Sequence, residues 1–366
     1  MAADYAQRLA ALSAEPSRDA AGDPNRLARV ERTRGEMMGQ GRAMAQTLML
    51  EAQAVDTLAE RLRARALRHV VVAGCGDSWF AGLGVRHAFE QLLHVPLEAA
   101  QALDYASYGA AAANAQTLVI GISAGGNTPA VMAALHAAKR RGAFTLGVSN
   151  SPGSPILTQF DAGLTVHAMR KGWPTQSSSA SMALLMRLAQ RLANDEAAAS
   201  FGRDLDALVA NMDETALRLD PLLAPIAASI AKAPLILFAG LGPNYACACF
   251  GAAKIKELSP IHAIAMPLEE YHHYRAQKAN EPLLMLATDP ASHERALDLL
   301  LVSEKVGGRT IAILSQDLPE IEQRAFAVLR LPACRPELAA LIGSLPLHLF
   351  AYHFAKARDA LGLGAA

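Results

Sequence analysis

The sequence contains one pattern twice: a short apolar run that leads directly into a G-x-G turn and then into a segment with helical spacing. The first copy begins RHVVVAGCG (68–76) and the second LILFAGLGPN (235–244). Further apolar runs alternate with helix-like segments, so that each half supplies five strands. Such alternation is typical of βαβ units and a parallel sheet. We therefore predict an α/β fold of two tandem lobes, each a five-stranded parallel sheet flanked by helices in a flavodoxin-like, doubly wound order.

The length of 366 residues suits two such lobes better than one core. Residues 1–32 are rich in Ala, Pro and charge, which predicts a flexible tail. One or two helices and the first lobe are expected over 33–200. The sequence D-E-A-A-A-S and later D-P-L-L-A-P interrupt the pattern, which predicts a boundary near 195–220. The second lobe then spans 215–366.

Charge and cysteine content limit the classes of function. Lys plus Arg and Asp plus Glu both number 34, so no global field attracts nucleic acid or an anionic membrane. No uncharged apolar run reaches the roughly 18 residues that a membrane helix needs. The four cysteines form no C-x-x-C pair, which indicates a reducing compartment rather than disulfides or zinc. With no secretory signal at the start, we expect a cytoplasmic protein.

The first glycine turn, at residues 74–82, is a candidate ligand loop. Gly76 permits a tight strand-to-helix turn, and the helix that follows can attract an anion. The hydroxyl of Ser78 can add a hydrogen bond. A dinucleotide fingerprint would need glycine at the position of Trp79, so that interpretation fails on spacing. An ordinary βα turn without a ligand remains open.

A second loop, GISAGGNT at 121–128, lies directly after a predicted strand and before a predicted helix. Ser123, Gly125, Asn127 and Thr128 make it small and polar, so its backbone amides can surround a phosphate. The loop also contains G-x-S-x-G around Ser123, which is the nucleophile-elbow pattern of α/β hydrolases. The adjoining polar residues and the repeat of the lobe favour phosphate, and a serine hydrolase stays as an alternative.

Ionisable residues are concentrated in the second half. Lys254 and Glu257 are three residues apart on a predicted helix and share a face, as an ordinary solvated ion pair would. The segment PLEEYHHYRAQK (267–278) includes Glu270 and His273. The segment is typical of a polar surface loop, and its histidines and acids do not have the spacing of a metal site. A carboxylate and a histidine beside a sugar can instead move protons between carbon and oxygen.

These motifs together resemble the SIS (sugar isomerase) domain family, most closely the isomerase half of glucosamine-6-phosphate synthase and its deaminase and deglycase relatives. The resemblance covers about 34–360. It rests on RGEMMGQGRAMAQTL, GCGDSWFAG, SAGGNT, NSPGSPI and AKIKELSPIHAIAMPLEEYHH. It implies two SIS lobes, no metal and no organic cofactor, and a homodimer with sites at the subunit interface.

The resemblance also implies roles for residues. Glu257 would move a proton between C1 and C2 of a phosphosugar, and Lys254 would support it. His273 would assist ring opening from a neighbouring subunit. The implied substrate-binding residues are Gly76, Ser78, Ser123, Gly125, Asn127, Thr128, Thr175 and Glu270.

The sequence departs from the family's pattern at several positions. Ala124 and Gly125 stand where the family usually has serine or glutamine, Asn127 replaces an acid, and Tyr274 replaces a glycine. The family's carboxyl-terminal Pro-Arg-Asn-Leu-x-Lys segment and its amide-hydrolysing domain are not found. We therefore expect an isomerase or deaminase acting on a hexose or amino-hexose 6-phosphate. A deglycase of a sugar-phosphate–amine adduct and a non-catalytic sensor are the alternatives.

Overall fold

Apolar runs before the glycine turns form inner strands of two parallel sheets in the computed structural model, which describes residues 2–14, 24–259 and 261–363. Four helices precede the first strand. They are α1 (Ala2–Ala14), α2 (Pro24–Met37), α3 (Gln40–Leu50) and α4 (Ala52–Arg63).

The prediction of a flexible tail over 1–32 is wrong from Pro24 onward. Helix α2 is packed: Val30 is 1% exposed and the charged Arg26 only 8%. The high content of charged residues predicted a flexible tail, whereas the stem of Arg26 is packed against the protein. Helix α1 is also regular, and residues 15–23 lie outside the described part of the chain.

The first lobe alternates strands and helices as predicted. Its elements are β1 (His69–Gly74), α5 (Asp77–Leu93), β2 (Leu97–Gln101), α6 (Ala102–Ser107), a 3₁₀ turn (Gly109–Ala112), β3 (Thr117–Ile122), α7 (Pro129–Arg140), β4 (Phe144–Ser149), α8 (Pro155–Thr158), β5 (Ala162–Thr165) and α9 (Gln176–Ala193). The strands are all parallel in the order β2-β1-β3-β4-β5. That order confirms the doubly wound prediction, and it gathers the loops after β1 and β3 at one edge.

A single long helix, α10 (Glu196–Ser229), occupies the predicted boundary region at 195–220 and links the two lobes. Pro221 and Pro225 lie inside this helix, where each removes a backbone hydrogen bond. Buried side chains along its length, including Leu219 and Leu223, compensate for those losses by packing against the core.

The second lobe repeats the first. Its elements are β6 (Leu235–Gly240), α11 (Pro243–Leu258), β7 (His262–Pro267), α12 (Glu270–Tyr274), β8 (Pro282–Ala287), α13 (Pro290–Lys305), β9 (Arg309–Leu314), α14 (Pro319–Glu322), β10 (Ala327–Arg330), a 3₁₀ turn (Pro336–Leu338) and α15 (Ala339–Ala360). The strand order, β10-β9-β8-β6-β7, is the first lobe's order counted in the second lobe's own strands. The prediction of two equivalent five-stranded lobes is confirmed.

The two glycine turns have nearly the same backbone. Gly76 has φ 54° and ψ −127°, and Gly242 has φ 55° and ψ −122°. Each precedes the first helix of its lobe in a positive-φ conformation that suits glycine. Helices α5 and α11 then pack against each other, so the two turns belong to elements that join the lobes.

Helix α15 closes the core. The segment 336–360 has the length and hydropathy of a membrane span, but 94% of its most apolar window is buried inside the protein. Its Phe350 and Phe354 are fully buried and stack at 5.8 Å between ring centroids. The composition of this helix is therefore accounted for by its packing in the core.

Candidate active site

A cleft of about 290 Å³ lies at the carboxyl ends of the first lobe's strands. It is bounded by the start of α5, the loop between β3 and α7, the loop between β5 and α9, and the end of α11 from the second lobe. Open parallel sheets bind ligands at this edge. The polar residues of its lining are Asp77, Ser78, Ser123, Thr128, Asn150, Arg170, Ser177, Ser178, Ser181 and Glu257.

The loop between β3 and α7 is held in shape by Ser123. Its Oγ accepts hydrogen bonds from the backbone N–H groups of Gly126 (3.1 Å) and Thr128 (3.2 Å), and it bonds the Thr128 hydroxyl at 2.8 Å. Gly126 has φ 74°, and a β-carbon there would collide with the Ser154 hydroxyl. Glycine is therefore required at 126 for the loop to close this tightly.

The same loop keeps backbone donors available. The N–H groups of Gly125 and Asn127 donate to no acceptor within the described residues. Two unpaired amides at a turn before a helix form a concavity suited to an anion. Gly125 lines the cleft, whereas the Asn127 side chain is exposed beside it.

The geometry argues against Ser123 as a nucleophile. Its side chain is buried, with 2% exposure for the residue, and its oxygen already accepts two amide hydrogen bonds. No histidine is among the described residues that line the cleft, and the hydrogen bonds of the Ser123 hydroxyl are all made within its own loop. The G-x-S-x-G pattern here is part of a tight loop that the hydrogen bonds of Ser123 hold together.

A buried lysine joins the two lobes at the opposite side of the cleft. Lys254 is 0% exposed, and its Nζ donates to Asp77 Oδ2 of the first lobe at 2.6 Å and to Glu257 Oε2 on its own helix. Burial disfavours the ammonium, but attraction to the two carboxylates outweighs burial and raises the Lys254 pKa. The lysine therefore stays charged.

Glu257 faces the cleft with 30% of its side chain exposed. Burial raises the pKa of its carboxyl to about 6; Lys254 opposes this shift and Asp77 adds to it. A carboxyl with that pKa is mostly ionised at neutral pH and still accepts a proton readily, as a general base should. The Arg26 guanidinium donates to the Glu257 backbone carbonyl at 2.6 Å, which anchors this end of α11 to α2.

The structure brings Gly76, Ser78, Ser123, Gly125 and Thr128 together around this cleft, with Glu257 facing them and Lys254 beneath it.

Thr175 is fully buried behind the lining as the residue before α9, and its Oγ1 has no hydrogen-bond partner among the described residues. Glu270 and His273 lie on α12, outside the cleft of their own chain. The His273 side chain is 63% exposed and its Nε2 is 3.6 Å from Glu269 Oε1.

Sequence reasoning missed several residues of the cleft. Asp77 follows Gly76 directly, but nothing in the sequence shows that it meets a lysine 177 residues away. Ser177, Ser178 and Ser181 project from the start of α9, and their clustering after a proline was the available signal. Arg170 comes from an irregular loop, for which no sequence periodicity gives a direction.

The equivalent position of the second lobe is filled by its own polar groups. Asn244, which is fully buried, bonds Asp289 Oδ2 at 3.1 Å and the Thr288 hydroxyl at 2.8 Å. These groups satisfy one another, and the Asp289 carboxylate would repel a phosphate. The unpaired backbone amides that could bind an anion are therefore those of the first-lobe loop.

No group of three or more metal-binding side chains occurs among the residues described. All four cysteines of the chain are free thiols, two of them buried. Burial raises the pKa of Cys75, which lines the cleft beside Gly76, so its thiol is protonated at neutral pH.

Comparisons with a family model and with curated proteins both find relatives of this chain. The family model of the SIS domain matches residues 65–191 and 229–358. Glutamine--fructose-6-phosphate aminotransferase [isomerizing] of Bacteroides thetaiotaomicron is 30% identical over 329 residues, which cover 87% of this chain and 53% of that protein. The chain thus spans about half the length of the curated relatives it matches.

Solved structures show the same fold. The C-terminal domain of glucosamine-fructose-6-phosphate aminotransferase from Francisella tularensis superimposes with a TM-score of 0.80 at 23% identity, covering 88% of this chain and 95% of that one. Glucosamine-6-phosphate deaminase from Thermotoga maritima gives 0.68 at 19% identity, covering 91% and 94%.

Proposed function

Because this chain belongs to the SIS domain family and carries two such domains, we propose that it is an enzyme that moves a proton between C1 and C2 of a hexose or amino-hexose 6-phosphate. The reaction would be an aldose–ketose isomerisation or a deamination. The names of its relatives and structural neighbours, an isomerizing aminotransferase and a deaminase, agree with this class of substrate.

One observation carries the proposal: a carboxylate with a raised pKa faces an anion-binding loop across a cleft of sugar-phosphate size. Glu257 lies on one side with a pKa of about 6, and Ser123 and Thr128 shape the loop on the other. A phosphate bound at the loop would align the sugar along the cleft and place its C1–C2 end near the Glu257 carboxylate.

The proposed chemistry needs only proton transfers. Glu257 removes the proton on C2 of the open-chain aldose, the electrons form a C1–C2 double bond, and the carbonyl oxygen takes a proton to give an enediol. The acid then returns its proton to C1 as the O2 hydroxyl loses one, which yields the ketose. Lys254 keeps the carboxylate ionised between turnovers, since its attraction opposes the effect of burial.

His273 would complete the site of a second copy of the chain, where it would assist ring opening. It is exposed, and the surface beside it is apolar: Ile264 and Tyr274 are 48% and 76% exposed and border a 520 Å³ recess. Exposed apolar surface of this kind suits contact between subunits. We propose that the chain forms a homodimer in the cytoplasm, a reducing compartment in which four free thiols are expected.

Proton NMR in deuterated water tests the proposal. The purified protein is incubated with fructose 6-phosphate, glucosamine 6-phosphate and a fructose 6-phosphate–amine adduct. We expect deuterium exchange or conversion at C1 or C2 with at least one sugar, and loss of that activity in Glu257→Gln. Glu320→Gln, an exposed carboxyl without a described ion pair, is the matched control.

The outcomes separate the alternatives. An amine other than ammonia released from the adduct indicates a deglycase, and binding of every sugar without exchange indicates a sensor. Full exchange in Glu257→Gln would refute Glu257 as the base.

A further inference from the structure

The carboxylates that line the cleft disfavour a phosphate ligand, and the groups described so far do not offset this repulsion. On its acid–base side the lining holds two carboxylates, Asp77 and Glu257, which share a hydrogen-bond partner in the buried ammonium of Lys254; Arg29 of α2 also attracts Glu257. When both acids are ionised, the two carboxylates that line the cleft repel a phosphate dianion. A ligand of this charge needs a cation on its own side of the cleft.

The anion-binding loop does not supply that cation. Ala124 and Gly125, at its centre, have no side-chain donors, and its other groups are hydroxyls and amides. The Ala124 carbonyl accepts from the Ser149 and Ser151 hydroxyls, so it is turned toward β4 and its connection. The loop can therefore orient an anion but adds no full positive charge.

Arg170 occupies the space that these small residues leave open. It is the cationic residue in the described lining of the cleft. A β-carbon at Gly125 would lie 3.8 Å from Arg170 Nη1, so the guanidinium lies next to the loop at Gly125. Within the described residues, Arg170 forms no hydrogen bond or ion pair. Its five donors are thus free for a ligand.

Helix α2 fixes the loop that carries Arg170. Glu36 Oε1 accepts from the backbone N–H groups of Lys171 (2.5 Å) and Gly172 (2.9 Å). The Thr33 hydroxyl accepts from the Trp173 N–H at 3.0 Å. Gly172 approaches α2 so closely that a β-carbon would collide with Thr33.

Aromatic contacts add to this attachment. The Arg29 guanidinium lies 4.1 Å from the centroid of the Trp173 ring, and Arg26 contacts the same ring at 5.6 Å. Arg26 also bonds the Glu257 carbonyl, so one helix contacts both the Arg170 loop and the end of α11 that bears the proposed base.

We propose that Arg170 binds the phosphate of the substrate in this chain and that Thr33 and Glu36 of α2 position it. This assignment rests on the proposed function, in that the cleft takes a sugar phosphate. Helix α2 lies outside both matched SIS segments, so the residues that position Arg170 come from outside the matched domain.

Isothermal titration calorimetry tests the role of Arg170, with fructose 6-phosphate, inorganic phosphate and fructose as probes. Because Arg170→Ala removes a charge-assisted hydrogen bond to the phosphate, it should weaken fructose 6-phosphate binding about 10- to 100-fold. Arg170→Lys should recover part of that loss. Lys171→Ala removes the adjacent charge, which is outside the cleft lining, and should change the Kd less than about twofold.

Two results would overturn the assignment: wild-type affinity in Arg170→Ala, or equal losses in Arg170→Ala and Lys171→Ala. A wild-type protein that binds neither phosphate-bearing probe also overturns it. The proposed function is judged separately, by the Glu257-dependent exchange of sugar protons, so the two can fail independently.

The positioning role of α2 needs a second variant. Thr33→Val keeps the size of the side chain and removes the acceptor for Trp173, so fructose 6-phosphate binding should weaken severalfold. In an Arg170→Ala background the same change should have little further effect. Thr215→Val, which removes a buried hydroxyl bonded within α10, is the control. Equal losses with and without Arg170 would contradict a role through Arg170.

Discussion

Replacing Asp77 by Asn should move the acidic limb of the pH–rate profile to lower pH. The Asp77 charge disfavours ionisation of Glu257, whose pKa is about 6. Asparagine removes that charge and leaves Lys254 to pair with Glu257 alone. Both effects stabilise the Glu257 carboxylate, so its pKa should fall toward the ordinary value for glutamate.

The size of the shift follows from the geometry. Asp77 and Glu257 both contact Lys254 Nζ, so their nearest oxygens are within about 5 Å, where like charges repel by about 3 kcal/mol at an effective dielectric constant near 20. That energy is the equivalent of about 2 pH units. Because Glu257 keeps partial solvent contact, we expect a measured shift of about 1 unit.

The assay is the rate of C1–C2 proton exchange with the active sugar, measured by NMR from pH 4.5 to 8.5. Asp317→Asn, whose side chain is 95% exposed, serves as the control and should leave the limb near its wild-type position. A limb that stays unchanged or rises in Asp77→Asn would refute the electrostatic coupling through Lys254. A thermal melt of each variant separates misfolding from a shifted pKa.

The other predictions concern the subunit interface, the buried lysine and the phosphate loop. Inactive Glu257→Gln and His273→Asn chains, co-expressed with different tags, should regain about a quarter of wild-type activity, because half of the dimers are mixed and each has one intact site; no regain would contradict a shared site. Lys254→Met should lower the free energy of unfolding by about 3–5 kcal/mol at pH 8, and by less at pH 5, where Glu257 is protonated; equal denaturant melts at pH 8 would refute this. Gly126→Ala should abolish phosphate binding in calorimetry while the far-UV circular dichroism is kept, because a β-carbon collides with Ser154; unchanged binding would show that the loop tolerates opening.

Most of the fold could be predicted from local sequence pattern, because the strands of a parallel sheet have a distinctive one. Their strands are buried on both faces, so β1, β3, β6 and β8 are continuous apolar runs that end at turn residues. The continuity of helix α10 could not be predicted, because prolines such as Pro221 and Pro225 normally end or kink a helix. Only its burial against the core, which is a tertiary effect, keeps it continuous.

The contacts of the candidate site also fall into those that local sequence predicts and those that it does not. The loop at 121–128 and the pairing of Lys254 with Glu257 depend on residues close in sequence, so their contacts could be anticipated. The contact of Asp77 with Lys254 and the anchoring of the Arg170 loop by α2 join residues more than 100 positions apart. No local pattern encodes such pairs, because they arise only when the elements pack.

A crystal structure of the Glu257→Gln variant with its active sugar phosphate bound tests the central claim most directly. We predict that the phosphate contacts the loop of Ser123 and Thr128, and that C1 and C2 lie within about 3.5 Å of the residue 257 side chain. A phosphate bound elsewhere, or a sugar whose C1–C2 end points away from residue 257, would contradict the account.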